Sequence, residues 1–168
     1  MSTPNVSTVP ITPIPPKLPL TAAEIKAVVI QYCLDKNMAV NAEVGLCKYG
    51  KLRADILALT FAGDTTVIEI KSSVSDFKSD KKWHNYLPFA NKFYFAMSPE
   101  VYAKVQDSIP KEDGIGVMLI TQATHTYGKP RLHIERKSKH KEIEASINIE
   151  LIIRLAFRNA MFNRLHRK

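Results

Sequence analysis

The feature that most constrains this chain is a pair of apolar runs, Arg53–Phe61 and Thr65–Lys71, separated only by Ala62-Gly63-Asp64. Two such runs joined by a short turn containing Gly predict a β-hairpin. Side chains alternate faces along a strand, so Glu69 and Lys71 project from one face and Ile70 from the other. The hairpin can set Asp55 beside Glu69. Two neighbouring carboxylates repel, so one must take a proton or a cation must bind. Hard oxygen donors with positions left for water suit Mg²⁺ or Mn²⁺. A lysine beside them can orient or help deprotonate an attacking water. These are the parts needed for phosphodiester hydrolysis. The plainer reading of the same residues is an amphipathic hairpin with its charges on a wet face.

An acid-x-Lys tripeptide carries no weight alone, because it also occurs at Glu24–Lys26, Asp76–Lys78, Asp80–Lys82 and Glu135–Lys137. Three of these four fall on predicted helices, where positions i and i+2 do not share a face. The fourth ends a possible strand that lacks an acid in a preceding partner. Only Glu69-Ile70-Lys71 lies in an apolar strand that hairpins onto a strand bearing an Asp.

Around this hairpin the pattern predicts an α/β domain, a mixed central sheet flanked by helices. Thr21-x-x-Glu24 is a capping box opening a helix over 21–36, with Ile25, Val28, Val29 and Tyr32 inward. Ala39–Val44 reads as a strand, and Gly45–Gly50 as a loop followed by Lys51. Ser75–Leu87 reads as a helix stopped near Pro88, and Lys92–Met97 as a strand. A short helix is capped by Ser98 with Pro99 in its first turn. Ile115–Thr121 is a further strand, Leu132–Glu135 an edge strand, and 143–165 a long helix with Ile143, Ile147, Leu151 and Leu155 four apart. Six prolines within residues 1–19 predict a disordered or polyproline-like arm, leaving 20–168 as one domain.

Charge is uneven. Residues 129–168 carry 11 Lys/Arg against 4 Asp/Glu, and the first 128 carry 13 against 12. Such a cluster fits either a polyanion, most often nucleic acid, or a solvated basic tail. Arg131, Arg136, Lys137, Lys139 and Lys141 stand against the single Glu135 and are the expected phosphate-backbone contacts. Arg154, Arg158, Arg164, Arg167 and Lys168 on or after the last helix are partly explained by the helix dipole. Two cysteines, Cys33 and Cys47, cannot build a disulfide scaffold or a four-thiolate zinc site, and read as thiols in a reducing compartment. No apolar run approaches the roughly 18 residues that span a bilayer, and no secretory signal pattern is present. The expected location is the cytoplasm, with no membrane partner. His133-x-Glu135 lacks the Pro-Cys-x-x-Cys of a deaminase. Gly114-x-Gly116 lacks the rest of any phosphate loop, so no organic cofactor is expected.

The segments Arg53-Ala54-Asp55-Ile56-Leu57-Ala58-Leu59, Ile68-Glu69-Ile70-Lys71-Ser72-Ser73-Val74, Asp76-Phe77, Asp80-Lys81-Lys82-Trp83, Tyr86-Leu87 and Phe93-Tyr94-Phe95-Ala96 resemble the MmcB-type DNA repair family within the PD-(D/E)XK nuclease superfamily. The likeness covers about residues 21–121. It implies a restriction-endonuclease-like fold and a Mg²⁺- or Mn²⁺-dependent DNA nuclease in repair, recombination or restriction. Asp55, Glu69 and the Ile70 carbonyl are then the metal ligands and Lys71 the catalytic lysine. Ala54 stands where the superfamily motif has proline, a position that varies.

Four residues are accessory candidates, Glu43 by its place near the hairpin and Glu24, Lys82 and Tyr86 by the resemblance. Glu24 falls where relatives carry a helical Glu near the metal, though the capping box also explains it. Glu43 is an additional metal ligand or an exposed strand-end charge. Lys82 and Tyr86 fall where some relatives carry Gln-x-x-x-Tyr beside the DNA backbone; alternatively Lys82 is solvated and Tyr86 is core. Trp83 is expected in the core, and Ser72 and Ser73 as helix caps. The competing classes are a non-catalytic DNA-binding protein of the same fold and an RNA nuclease.

Overall fold

The computed structural model describes residues 18–47, 52–123 and 128–165. The expected arm up to Lys17, Lys48, Lys51, Arg167 and Lys168 lie outside the described residues. The elements run α1 (Ala22–Asp35), β1 (Ala39–Gly45), β2 (Arg53–Leu59), β3 (Thr65–Lys71), α2 (Val74–Ser79), a 3-10 segment (Trp83–Phe89), β4 (Lys92–Met97), α3 (Pro99–Val105), a second 3-10 segment (Gln106–Ser108), β5 (Gly116–Thr121), β6 (Arg131–Arg136) and α4 (Ala145–Leu165). The six strands form one mixed sheet in chain order. β1, β2 and β3 pair antiparallel, β3, β4 and β5 parallel, and β6 returns antiparallel as the far edge. Among the described residues no helix is long and apolar enough to cross a membrane.

Alternation of side chains divides the core between the two sheet faces. Ile56, Ile68, Ile70, Ala96, Met118 and Ile120 pack on α1 through Ile25, Val29 and Cys33. On the other face Leu57, Val67, Phe93, Phe95, Met97 and Val117 pack under Phe77, Tyr86, Val101, Leu151 and Leu155. Each large aliphatic or aromatic side chain removed from water contributes about 1.5–3 kcal/mol. β3 lies in the middle of this arrangement, and all seven of its residues are buried, Glu69 and Lys71 included.

Most of the predicted elements form, with three differences. The hairpin turn is longer than its three-residue signal: Thr60 N–H donates to the Asp64 carbonyl at 2.9 Å, and Gly63 takes φ 93°, a region that favours glycine. The predicted helix 75–87 is broken. α2 ends at Ser79, Asp80 turns back so that its Oδ1 accepts from Lys82 N–H at 2.8 Å, and Trp83–Phe89 continues as a 3-10 segment containing Pro88. A short acidic side chain bonding nearby backbone competes with helix, and here the interruption moves Asp80 toward β3. Thirdly, the predicted edge strand Leu132–Glu135 is longer by one residue at each end, as β6 (Arg131–Arg136).

α4 is tied at both ends of the sheet. Asn148 Nδ2 donates to the Gly63 carbonyl at the hairpin turn (3.1 Å), and Arg158 Nη1 donates to the Glu43 carbonyl on β1 (2.7 Å). The ten intervening steps span about 15 Å, so α4 delivers Arg158 to the end of the sheet where β2 begins and β3 ends.

Candidate active site

The β2–β3 ladder runs from Leu59↔Thr65 to Ile56↔Ile68 and then gives way to side chains. Ile70 N–H donates to Asp55 Oδ2 at 2.8 Å, and Asp55 N–H donates to Glu69 Oε1 at 3.1 Å. Each carboxylate thus grips the backbone of the opposite strand. The N–H and C=O of one strand residue point to the same side, so the Ile70 carbonyl also faces β2. The structure brings together Asp55, Glu69, Ile70 and Lys71.

Lys71 leaves the same face as Glu69 and is 5% exposed along its side chain. Its Nζ lies 3.9 Å from Glu69 Oε2, 2.6 Å from Asp80 Oδ2, and 5.9 Å from the Phe95 ring centroid. Asp80 is the residue that sequence reasoning missed. The sequence offers it as one of several acid-x-Lys repeats on a continuous helix, and only the break after Ser79 turns it inward. No local signal in the sequence separates it from the other acid-x-Lys repeats.

The electrostatics follow from crowding. Burial raises the Glu69 carboxyl to about 8, reinforced by the neighbouring Asp55. Burial also raises Asp55, against the opposing pull of the Ile70 N–H and Lys71. Burial pushes Asp80 up too, but Lys71 and the backbone N–H groups of Lys82 and Trp83 outweigh it and hold Asp80 below its usual value. Three carboxylates here crowd the ammonium of Lys71, Glu69 and Asp80 directly and Asp55 at longer range. A divalent cation would balance that excess, and the donors are hard oxygens. Among the described residues no three His, Cys, Asp or Glu side chains form a ready metal cage. Two carboxylates and a carbonyl would leave several positions to water and substrate.

Glu69 has a folded pKa raised from 4.5 to about 8, so the folded chain holds a proton that the unfolded chain releases. That contribution is full below about 4.5 and is lost as pH rises to about 8, on the order of a few kcal/mol. In chelator, thermal melts should show the parent losing stability relative to Glu69→Gln across this window. Parallel pH curves for the two proteins would contradict it.

Several accessory candidates lie elsewhere or act differently. Glu24 closes the capping box: its Oε2 accepts from Thr21 N–H and Oγ1, both at 2.8 Å, and those bonds hold it below the usual carboxylate value. Among the described residues it makes no contact with Asp55 or Glu69. Tyr86 is a core residue on the 3-10 segment, stacked on Phe93, with its hydroxyl donating to the Arg53 carbonyl at 3.2 Å. It does not share a helix face with Lys82, whose side chain is exposed. Trp83 packs on Phe95 as expected, and Ser73 caps α2. Ser72 N–H instead donates to the Asp76 carboxylate.

Glu43 stands across from Asp55, between the pairs Ala42↔Ile56 and Val44↔Ala54. Its carboxylate is bound by Lys26 and by Arg53 Nε (3.1 Å), and the Lys26 hydrogen bond holds it below the usual value.

The basic C-terminal stretch is divided. β6 runs antiparallel to β5 from Thr121↔Arg131 to Val117↔Arg136, so Arg131 lies at the Lys71 end, and Arg136 shares the row of Val117, Phe95 and Glu69 but stands three strands away from Glu69. Arg136 is structural: its Nε donates to the Ile115 carbonyl at 2.7 Å and Nη2 to the Pro110 carbonyl at 3.4 Å. Lys139 N–H binds the Gly114 carbonyl, and Lys141 N–H binds that of Asn91, beside the start of β3. Lys139 and Lys141 are therefore held toward the start of β3, and Lys71 lies at its other end, about 20 Å along the strand.

A family model described as DNA repair protein MmcB-like matches residues 12–168. The chain belongs to the MmcB-like family of DNA repair proteins. No curated protein matches it. Among solved structures, a protein of unknown function from Silicibacter pomeroyi is similar at TM-score 0.73 and 22% identity, covering 90% of this chain and 94% of that one. That likeness supports the MmcB-like chain's α/β fold, a mixed six-stranded sheet with flanking helices.

Proposed function

We propose that this MmcB-like chain is a DNA nuclease of the PD-(D/E)XK superfamily with a restriction-endonuclease-like fold, dependent on Mg²⁺ or Mn²⁺ and acting in DNA repair. The observation that carries this reading is the interlock of Asp55 and Glu69 where the β2–β3 ladder ends, with Lys71 buried on the same face. Family membership supports the DNA repair setting.

Asp55, Glu69 and the Ile70 carbonyl would hold the cation. When bound, it would stabilise charge on the scissile phosphate and favour ionisation of water. Lys71 Nζ orients the attacking water toward phosphorus. Asp80 holds that ammonium in position through the 2.6 Å contact of its Oδ2. Phe95 and Phe77 close the apolar floor beneath it.

Two experiments test this reading. In the first, labelled single-stranded, duplex and branched DNA, and RNA, are incubated with the chain and Mg²⁺, Mn²⁺ or EDTA. DNA cleavage that EDTA stops is expected. Tight DNA binding without cleavage under any divalent ion would instead make the chain a binding protein of this fold, and cleavage confined to RNA an RNA nuclease. The second concerns Asp80. Asp80→Asn should lower turnover by about 10–100-fold with KM little changed, and Asp80→Glu should restore part of it. Equal losses for both variants, matched by equal falls in melting temperature, would reduce Asp80 to a structural cap.

A further inference from the structure

Asp55 and Glu69 repel a phosphodiester, and Lys71 is engaged with Asp80, so a nucleic-acid strand needs other cations to hold it at this site. Lys137 follows an edge strand three strands away from Glu69, and Lys139 and Lys141 are tied toward the end of the sheet away from Lys71. Three cations from three different elements do meet beside the carboxylates: Lys26 of α1, Arg53 of β2 and Arg158 of α4. All three converge on Glu43, which lies one cross-strand step from Asp55, roughly 5 Å between backbones.

Glu43 itself is unusual. It takes φ 55° in the middle of β1, a left-handed conformation rare for a residue with a side chain. Such conformations persist where surrounding contacts over-determine them, and they gather at functional sites. Here Arg158 fixes the Glu43 carbonyl, while Lys26 and Arg53 fix its carboxylate. The three cations outnumber the one anion they surround. Lys26 is the most enclosed of the three contacts, and Arg53 is 66% exposed along its side chain. Arg158 is exposed as well. Each guanidinium has five N–H donors in a planar fork suited to phosphate oxygens. Arg53 uses Nε toward Glu43 and Arg158 uses Nη1.

The geometry points to Arg53 and Arg158 as a phosphodiester-binding pair that holds the nucleic-acid backbone next to the Asp55–Glu69 pair, with Lys26 neutralising Glu43 beneath them. The ligand class is a nucleic-acid strand gripped by its phosphates, without base recognition. This inference rests on the nuclease reading for its placement, but it concerns binding and is measured without cleavage.

The test is fluorescence anisotropy of the full chain on labelled single-stranded and duplex DNA of unrelated sequences, in EDTA, across a KCl series. Arg53→Ala/Arg158→Ala should weaken binding about tenfold or more on every sequence and flatten the slope of log K against log[KCl] by about two. Arg53→Lys/Arg158→Lys should keep most of the slope, which separates lost charge from lost fold. Lys137→Ala/Lys139→Ala/Lys141→Ala should leave affinity and slope near those of the parent. Parental affinity and slope in Arg53→Ala/Arg158→Ala would overturn the inference, as would a slope carried by the 137–141 triple variant or a parent that binds no DNA. A parent whose DNA binding depends on the arginine pair but that cuts nothing under any divalent ion would sink the nuclease reading and leave the binding pair standing.

Discussion

Asp55→Asn and Glu69→Gln should each reduce cleavage to the level seen with the parent in EDTA. Each exchange removes one charged oxygen from a donor set of only two carboxylates and a carbonyl. The fold should survive, because an amide oxygen can still accept the Ile70 or Asp55 N–H that the carboxylate now accepts. Calorimetric titration with Mn²⁺ should show weaker binding in both variants. The Glu69→Gln protein should melt higher than the parent at pH 8 in chelator, because the raised Glu69 pKa makes ionisation there costly. Parental cleavage by Asp55→Asn would remove Asp55 from the site.

Lys71→Ala should lower the cleavage rate by about 10²–10⁴-fold, the range for a positioned acid–base group. Its distinguishing mark is what stays constant. Divalent-ion binding should persist, since both carboxylates remain, and DNA affinity should fall only modestly, since Arg53 and Arg158 carry the backbone contact. Asp80→Asn placed on Lys71→Ala should add little, because Asp80 acts through the ammonium 2.6 Å away. Full additivity of the two changes would mean that they act separately. Loss of DNA affinity as the only effect of Lys71→Ala would assign the lysine to binding.

The central hairpin was legible in the sequence because its period and its turn residues agree. Alternation put Glu69 and Lys71 on one face, the hairpin set Asp55 beside Glu69, and the family resemblance gave the three their expected roles. The capping box of α1 and the Ser98–Pro99 start of α3 were legible for the same reason: short-range chemistry decides them. What escaped depended on distant partners. Nothing local marks Asp80 as different from Asp76, yet one reaches Lys71 while the other accepts from Ser72 N–H. Tyr86 was placed at a helical spacing from Lys82, but the break at Asp80 removed the helix on which that spacing relied. The charge count located the basic residues in the chain and not in space. The chain after antiparallel β6 ties Lys139 and Lys141 toward the far end of the sheet, while α4 brings Arg158 back to the near end. That division depends on strand order and helix direction, which a charge count does not contain.

The most direct measurement of the central claim is single-turnover cleavage of end-labelled duplex DNA by the parent and by Asp55→Asn, purified side by side, with Mg²⁺ and with EDTA. The account predicts time-dependent product from the parent with Mg²⁺ alone, and none from the parent in EDTA or from Asp55→Asn in either buffer. Product of equal yield from both proteins, or from the parent in EDTA, would contradict it.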